Sequence, residues 1–235
     1  MAMLSNKDRE FLQNHLNHTL EGPVRLLLFT QTLACQFCRE TQQLLKEVAE
    51  LSDKITLKVY NFITDGEVAK QYGIKRIPAT VVMGERDYGI RFYGIPSGYE
   101  FNTLIEDIIA VSRQEHGLSE ETLEKLKGLT EPIHMQVFVT PTCPYCPAAV
   151  SAAHMLAMAS ELITADMIES VEFPQMGNKY RVQGVPRTVI NEDTFFEGAA
   201  PEPLVLARVL QAAGLMTQAE ADAVWKSFAA EMETT

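Results

Sequence analysis

Two hydrophobic patterns meet in the second half of the chain. Residues 135–139 form a run of apolar, β-branched and aromatic side chains, which predicts a buried β-strand. Residues 148–156 are rich in alanine, with Met155 and Leu156 following, and this composition favours an α-helix. Between them lies the sequence Thr-Pro-Thr-Cys-Pro-Tyr-Cys-Pro. The pattern therefore places Cys143 and Cys146 where a strand ends and a helix begins.

The first half of the chain carries a similar arrangement. Cys35 and Cys38 follow the apolar run at residues 24–29 and precede a helical pattern at residues 40–48. This pair is therefore also predicted to lie between a strand and the first turn of a helix.

The two halves match at one constant interval. Cys35 and Cys143 are 108 positions apart (143 − 35), and Pro78 and Pro186 are separated by the same number (186 − 78). An aliphatic residue precedes each proline, Ile77 in the first half and Val185 in the second. Two matches at an identical interval indicate an internal duplication.

The same order of elements, α-β-α-β-α-β-β-α, is predicted for both repeats, at residues 1–116 and 117–235. Helical crossovers predict that the first strands of each repeat are parallel, and a short turn predicts that the last two are antiparallel. In the second repeat, the strand after the cysteine helix is predicted at residues 168–173. The expected fold class is α/β, with two similar units in tandem.

An additional helix is predicted from about residue 216, with Trp225 and Phe228 on its apolar face. Packing onto the second repeat and a contact in a dimer are the two explanations for this face. The sequence leaves open whether the protein is a monomer or a dimer.

Composition and charge narrow the classes of partner. The chain has 235 residues, 46% of them hydrophobic, which is enough for two globular domains of about 110 residues each. The net charge of −11 argues against nucleic acid and anionic membranes as partners. The first ten residues lack the apolar core of a signal peptide, and no stretch is long and apolar enough to span a bilayer. We therefore predict a cytoplasmic protein without a membrane partner.

All four cysteines lie in the two C-x-x-C motifs. At a helix N-terminus, unpaired N–H groups and the helix dipole stabilise a thiolate, the form of cysteine that attacks disulfides. A spacing of three lets the two sulfurs of each motif form a bond. The motifs thus predict redox-active dithiols.

Metal binding and burial are the alternatives for these cysteines. Each pair alone is half of a zinc site, but zinc ribbons place their two pairs about 15–20 residues apart. Here 105 positions separate Cys38 from Cys143 (143 − 38). We predict no metal site within the chain, which leaves a cluster shared between two chains as the remaining metal arrangement.

The motifs and their order resemble the thioredoxin fold. Cys-Pro-Tyr-Cys at residues 143–146 is the glutaredoxin form of the motif, and an aliphatic-Pro-x-Thr sequence follows about 40 residues later. A duplicated unit with Cys-Gln-Phe-Cys first and Cys-Pro-Tyr-Cys second resembles the glutaredoxin-like protein disulfide oxidoreductases. Residues 93–101 resemble the segment that closes the first unit in that family.

The resemblance implies a role for each motif residue. It implies that Cys35 and Cys143 attack disulfides and that Cys38 and Cys146 resolve the mixed disulfide. It also implies cis prolines whose preceding backbone pairs with an extended substrate, and this carries over to the following dipeptides: Ile77-Pro78 and Val185-Pro186. From its position after the second proline, Arg187 is a candidate for lowering the pKa of Cys143, with a solvated side chain as the alternative.

The resemblance implies no bound cofactor beyond the disulfides themselves. Electrons would come from NADPH through a thioredoxin-reductase-like flavoenzyme, and disulfide-containing proteins would be the substrates. The competing interpretations are an electron-relay module for a peroxidase, which typically keeps one working C-x-x-C motif, and a metal-binding or holding protein without turnover.

Two departures from related folds concern the sites. Thioredoxins place a buried carboxylate six residues before the first cysteine, whereas this chain has Phe29 and Val137 there. Glutaredoxins usually carry Gly-Gly after the last strand, whereas this chain has Gly198-Ala199. The sequence thus predicts a site without the usual proton acceptor and argues against glutathione as a bound ligand.

Overall fold

The computed structural model describes residues 3–233, with the side chains of the last two left out. The first unit carries the predicted order of elements. They are α1 (Asn6–Thr19), β1 (Val24–Thr30), α2 (Cys38–Ala49), β2 (Ile55–Asn61), α3 (Gly66–Gln71), β3 (Ala79–Met83), β4 (Asp87–Tyr93) and α4 (Glu100–Arg113).

The second unit repeats this order and adds one helix. Its elements are α5 (Glu120–Leu126), β5 (Ile133–Val139), α6 (Cys146–Ala159), β6 (Ile163–Glu169), α7 (Pro174–Lys179), β7 (Arg187–Ile190), β8 (Thr194–Glu197), α8 (Glu202–Ala212) and α9 (Gln218–Glu233). The predicted boundary between residues 116 and 117 falls in the connection from α4 to α5, and dividing the chain there remains a prediction.

The strand predicted at residues 168–173 is wrong, because β6 begins five residues earlier, at Ile163. Asp166 lies two residues before the predicted start, and a charged residue there breaks the apolar pattern. Asp166 is nevertheless buried, and its carboxylate lies 2.6 Å from Nε2 of His134 on the neighbouring strand. A buried carboxylate with such a partner is compatible with an interior strand.

All eight strands form one continuous sheet in the order β2-β1-β3-β4-β6-β5-β7-β8. As predicted, β1 is parallel to β2, β5 is parallel to β6, and the last pair of each unit is antiparallel. However, β3 and β7 run antiparallel to β1 and β5, although each is also reached through a helix.

The two units join through the parallel pair β4–β6. This pairing makes β6 an interior strand, whereas its counterpart in the first unit, β2, stays at the open edge of the sheet. The two units therefore have different surroundings despite their common fold.

Apolar side chains fill both faces of the sheet. One cluster contains the cysteines of the second motif and residues from α4, α6 and α8, while the other contains residues from the faces of α3 and α7. The strand alternation sends neighbouring residues to opposite faces, so Val137 belongs to the first cluster and Phe138 to the second.

Helix α9 packs onto the second unit, one of the two explanations considered for its apolar face. The indole N–H of Trp225 donates to the carbonyl oxygen of Leu204 in α8 at 3.1 Å, and its ring packs against Phe196 in β8. Within residues 3–233, no helix is long and apolar enough to cross a membrane.

Candidate functional site

The second dithiol lies between the end of β5 and the first turn of α6. Cys143 and Cys146 form a disulfide, with their Cα atoms 5.5 Å apart. The amide of Cys143 donates to the carbonyl of Thr140 at 3.2 Å, which closes the turn before the helix. Pro147 occupies the first helical turn, where its missing N–H breaks no hydrogen bond. Cys146 is fully buried and Cys143 is 7% exposed.

A cis peptide bond faces this dithiol. The bond between Val185 and Pro186 is cis, as the family resemblance implied. The carbonyl oxygen of Val185 lies 3.7 Å from Sγ of Cys143. The backbone at Val185 therefore lies directly beside Cys143, the more exposed cysteine of the pair. A substrate peptide could pair with this backbone as a further strand.

The first dithiol has the same general arrangement. Cys35 and Cys38 form a disulfide with a Cα separation of 5.5 Å, and the bond between Ile77 and Pro78 is cis. Cys38 is 2% exposed, and Cys35 is half-buried. In both motifs the first cysteine is thus the more accessible, which fits an attacking first cysteine and a resolving second one.

The loop before the first dithiol is one residue longer than the loop before the second. Phe29 pairs with Ala79 across the sheet, whereas Phe138 pairs with Arg187. The offset between the units is therefore 109 in this strand (138 − 29) and 108 at the cysteines and at the cis prolines. The extra residue lies in the loop after β1, where Ala34 adopts a left-handed backbone with φ of 57°.

This register corrects one of the positions compared with thioredoxin. Val137 faces the active-site helix as expected, but the matching residue of the first unit is Leu28, because Phe29 faces the opposite side of the sheet. Both matching residues are apolar. Both units therefore lack a carboxylate at this strand position.

Arg187 does not lie in solvent. Its guanidinium pairs with Glu197 at 2.6 Å and stacks on the ring of Phe195 at 3.9 Å. Its side chain shares a sheet face with Val189 and the α7 cluster, opposite the face that carries Cys143. We therefore assign Arg187 no role at the second dithiol. The predicted lowering of the pKa of Cys143 by Arg187 is not used in the proposed function below.

A carboxyl group that the sequence analysis missed lies at the junction of the two units. Glu100, the first residue of α4, is 1% exposed. Among the described residues, neither of its carboxylate oxygens completes a hydrogen bond of ordinary distance and angle. Burial raises the pKa of Glu100 to about 7, an effect that the hydroxyl of Thr103 and the nearby His154 partly offset.

The backbone beside Glu100 touches the loop of the second dithiol. The amide of Tyr99 donates to the carbonyl of Pro141 at 3.1 Å. Gly98 has φ of +62°, and a side chain there would collide with the same carbonyl. The first unit therefore contributes part of the wall around Cys143.

The opposite end of this connecting segment is also held by the second unit. The amide of Ile95 donates to Oε1 of Glu172 at 2.7 Å. Burial, together with the neighbouring charge of Glu169, raises the pKa of Glu172 to about 7. Residues 95–99 are thus attached to the second unit at both ends.

A buried histidine–aspartate contact connects α4 to the active-site helix. Nδ1 of His154 in α6 lies 2.6 Å from Oδ2 of Asp107 in α4, and both side chains are at least nine-tenths buried. His154 also makes an edge contact with the ring of Phe92 in β4. Both His154 and Asp107 are close enough to Glu100 to affect its pKa.

No signal within one repeat could have identified Glu100. Its burial depends on the pairing of β4 with β6 and on the packing of α4 against α6, which are contacts between the repeats. The stretch at residues 93–101 was the available hint, because it resembled a family segment.

A metal site would need several ligating side chains within reach of one ion. Within residues 3–233, no group of three or more histidine, cysteine or acidic side chains is arranged to hold a metal ion. The two dithiols belong to different units, and each is closed as a disulfide.

Comparison with known proteins agrees with the fold and the motifs. A thioredoxin-domain family model matches residues 133–211. The crystal structure of a protein disulfide oxidoreductase from Aeropyrum pernix superimposes with a TM-score of 0.84 and 32% identity, covering 91% of this chain and 95% of that one.

Alkyl hydroperoxide reductases form a second group of relatives. The N-terminal domain of the Enterococcus faecalis enzyme superimposes with a TM-score of 0.80 and 26% identity, over 88% of this chain and 99% of that domain. The F component of the Staphylococcus epidermidis reductase is 31% identical over 160 residues, which are 68% of this chain and 29% of that protein. The corresponding component from Pseudomonas aeruginosa is 28% identical over 73% of this chain and 31% of that protein.

The chain thus spans about 30% of the length of these curated relatives and nearly the full length of the archaeal enzyme. Two units of the thioredoxin fold, each with a C-x-x-C pair at the start of its second helix, are present here. On this basis the chain belongs to the protein disulfide oxidoreductase family and is a thiol–disulfide oxidoreductase of the thioredoxin type.

Proposed function

We propose that the protein reduces disulfides in other proteins, with Cys143 and Cys146 as the principal dithiol. The observation that carries this proposal is the 3.7 Å approach of the Val185 carbonyl to Sγ of Cys143. An extended substrate that pairs with the backbone at Val185 would bring its disulfide to the attacking sulfur.

In the reduced protein, the Cys143 thiolate attacks one sulfur of the substrate disulfide. A mixed disulfide forms and one substrate thiolate leaves. The thiolate of Cys146 then attacks Cys143, which closes the intramolecular disulfide and releases the second substrate thiolate. The dithiol is oxidised, and the substrate disulfide is reduced to two thiols.

The buried carboxyl of Glu100 supports the second step. Cys146 must lose its proton before it attacks, and a fully buried thiol cannot pass that proton directly to water. A carboxyl group with a pKa of about 7 exchanges protons readily at neutral pH. We propose that Glu100 accepts this proton. A residue of the first unit would thus perform the function of the carboxylate that β5 lacks.

The electron source in our proposal is a separate protein. A flavoenzyme similar to thioredoxin reductase, using NADPH, would reduce the Cys143–Cys146 disulfide after each turnover. Disulfide-containing proteins of the cytoplasm would be the substrates.

A second candidate function is an electron relay to a peroxide-reducing partner. The match to 99% of an N-terminal domain of alkylhydroperoxide reductase favours this candidate. The relay uses the same chemistry at Cys143 and differs in its partner, which would be the disulfide of a peroxidase.

The reduction of insulin by dithiothreitol, followed by turbidity, tests the principal function. We expect Cys143→Ser to remove most of the activity and Cys35→Ser to leave most of it. If Cys35→Ser removes the activity and Cys143→Ser spares it, the assignment of the principal dithiol is wrong. Repeating the assay with NADPH, a thioredoxin reductase and either insulin or an oxidised peroxiredoxin distinguishes the general reductase from the relay.

A further inference from the structure

A groove of about 510 Å³ opens beside Cys35. Most of the residues that line it have polar side chains, among them Thr32, Arg39, Gln42, Asn61 and Asp65. The groove runs along β2, which is the open edge of the sheet. The first dithiol therefore faces a solvent-filled groove, whereas the second faces the neighbouring unit.

Arg39 is the one cationic side chain among the described residues that line this groove. Arg39 is exposed and forms no ion pair within the part of the chain that the structure describes. The groove also contains the carboxylate of Asp65, but one of its oxygens accepts a hydrogen bond from the amide of Asn61 at 2.7 Å. Arg39 is thus available to a ligand carboxylate, with the amide of Gln42 as a further donor.

The second unit lacks the arginine and the glutamine at the matching positions. At the offset of 108, Arg39 corresponds to Pro147 and Gln42 to Val150. By the same alignment, Glu169 and Phe173 replace the two polar residues at the end of β2. The duplication therefore supplies an internal control: within the described residues, the same fold carries an arginine without an ion pair beside one dithiol and a proline at the matching position beside the other.

We propose that the first dithiol reacts with small disulfides that carry a carboxylate, bound with the carboxylate on Arg39. This inference rests on the proposed oxidoreductase function and assigns a substrate class to the first dithiol. A groove of this volume accommodates a small molecule.

The reaction balances without a further reactant. The Cys35 thiolate attacks one sulfur of the small disulfide, forms a mixed disulfide and releases one small thiolate. The Cys38 thiolate then attacks Cys35, closes the Cys35–Cys38 disulfide and releases the second small thiolate. Two electrons pass from the dithiol to the small disulfide, and the two protons of the dithiol end on the released thiols.

Three small disulfides of similar length and different charge test the proposal. They are 3,3′-dithiodipropionate with two negative charges, bis(2-hydroxyethyl) disulfide with none, and cystamine with two positive charges. The Cys143→Ser/Cys146→Ser variant isolates the first dithiol and the Cys35→Ser/Cys38→Ser variant isolates the second. Each reduced variant is mixed with each compound, quenched with an alkylating agent and analysed by mass spectrometry.

The measured quantity is the ratio of the rate with dithiodipropionate to the rate with cystamine. One charge at roughly 6 Å in water changes a rate by about threefold, and attraction and repulsion together change the ratio by about tenfold. We expect the ratio to be about tenfold higher at the first dithiol than at the second. The net charge of the protein affects both dithiols and largely cancels in this comparison.

Arg39→Gln should lower the ratio at the first dithiol to that at the second. Arg113→Gln, at the far end of α4, changes the net charge equally and should leave the ratio unchanged. Equal ratios at the two dithiols, or an unchanged ratio in Arg39→Gln, would overturn the proposal. Insulin reduction by the variant with only the second dithiol is measured in parallel, because its loss would instead overturn the proposed function.

Discussion

At the scale of single residues, we propose Glu100 as the acceptor of the Cys146 proton. Its carboxyl group is buried between the two units, and this burial makes the ionised form unfavourable. The protein keeps such a group at a cost in stability. Retaining a group at this cost is typical of functional sites, where a shifted pKa serves a reaction.

The free energy that burial of Glu100 costs the folded protein depends on pH. The pKa of Glu100 is about 7 in the folded protein and 4.5 for an ordinary glutamate. Because the folded state holds the proton more tightly, the free energy of unfolding falls as the pH rises from 4.5 to 7. Above pH 7 the full loss is present, and below pH 4.5 it is absent.

Glu100→Gln should therefore stabilise the protein at high pH. We expect its free energy of unfolding to exceed that of the wild type by about 3 kcal/mol at pH 8.5 and to be close to it at pH 5. Urea unfolding at both pH values measures this difference. Glu106→Gln is the matched control, because Glu106 lies on the same helix with its side chain exposed. Equal effects of the two substitutions would contradict the burial argument.

The same substitution should slow the reduction of insulin at neutral pH, since the amide cannot hold the proton of Cys146. A variant that is more stable and less active separates a catalytic role from a structural one.

At the scale of elements, the junction between the units depends on the segment that connects β4 to α4. This segment is attached to the second unit through Glu172 at one end and through Pro141 at the other. The amide of Tyr99 and the absence of a side chain at Gly98 allow the close approach to the cysteine loop. The loop that carries Cys143 is thus held in part by a neighbouring unit.

Gly98→Ala tests this contact, and Gly73→Ala is its control. Both glycines have positive φ, but a Cβ at Gly73 would meet open space, whereas one at Gly98 would strike the carbonyl of Pro141. Both substitutions should cost about 1 kcal/mol from the backbone conformation. Gly98→Ala should cost roughly 1–3 kcal/mol more because of the collision.

Activity provides the second readout for this pair. In the Cys35→Ser/Cys38→Ser background, Gly98→Ala should reduce insulin more slowly than Gly73→Ala, because the loop before Cys143 must shift. Equal rates and equal stabilities for the two variants would show that the contact does not shape the site.

At the scale of the whole molecule, one sheet joins two dithiols with different surroundings. The open edge at β2 leaves the first dithiol beside an unpaired arginine, which favours the thiolate and hence the reduced form. At the position that matches Arg39, the second dithiol has Pro147, which offers its thiolate no such charge. The two reduction potentials should therefore differ, with the first dithiol the more oxidising.

A redox titration of each isolated dithiol in glutathione buffers measures this difference. We expect both potentials to lie near the thioredoxin and glutaredoxin range of about −270 to −200 mV, with the first higher by about 30 mV. A second dithiol that is more oxidising than the first would contradict the assignment of their surroundings. A value well above about −180 mV at either dithiol would instead indicate that it forms or rearranges disulfides.

The duplication in the sequence was sufficient to predict the order of elements and the positions of both dithiols. A constant offset of 108 predicts two copies of one fold, because identical spacing requires equivalent loops and strands. It also led to a small misalignment in β1, since the longer loop before Cys35 shifts the strand by one residue. Only the observed pairing of Phe29 with Ala79 shows this shift.

The sequence could not predict how the units join. The pairing of β4 with β6 depends on which sheet edges meet, and no periodicity within a strand contains that information. The importance of Glu100 follows from this pairing, because the residue is buried only when α4 packs on α6. The start of β6 was missed for a related reason: Asp166 is tolerated there because of its partner, His134.

The central claim is that Cys143, rather than Cys35, is the sulfur that attacks protein disulfides. Trapping the mixed disulfide in the Cys38→Ser/Cys146→Ser variant tests it most directly, because both attacking cysteines compete for one substrate in the same molecule. After reaction with an oxidised protein substrate, peptide mapping should locate most of the substrate on Cys143. Substrate found mainly on Cys35 would contradict the account.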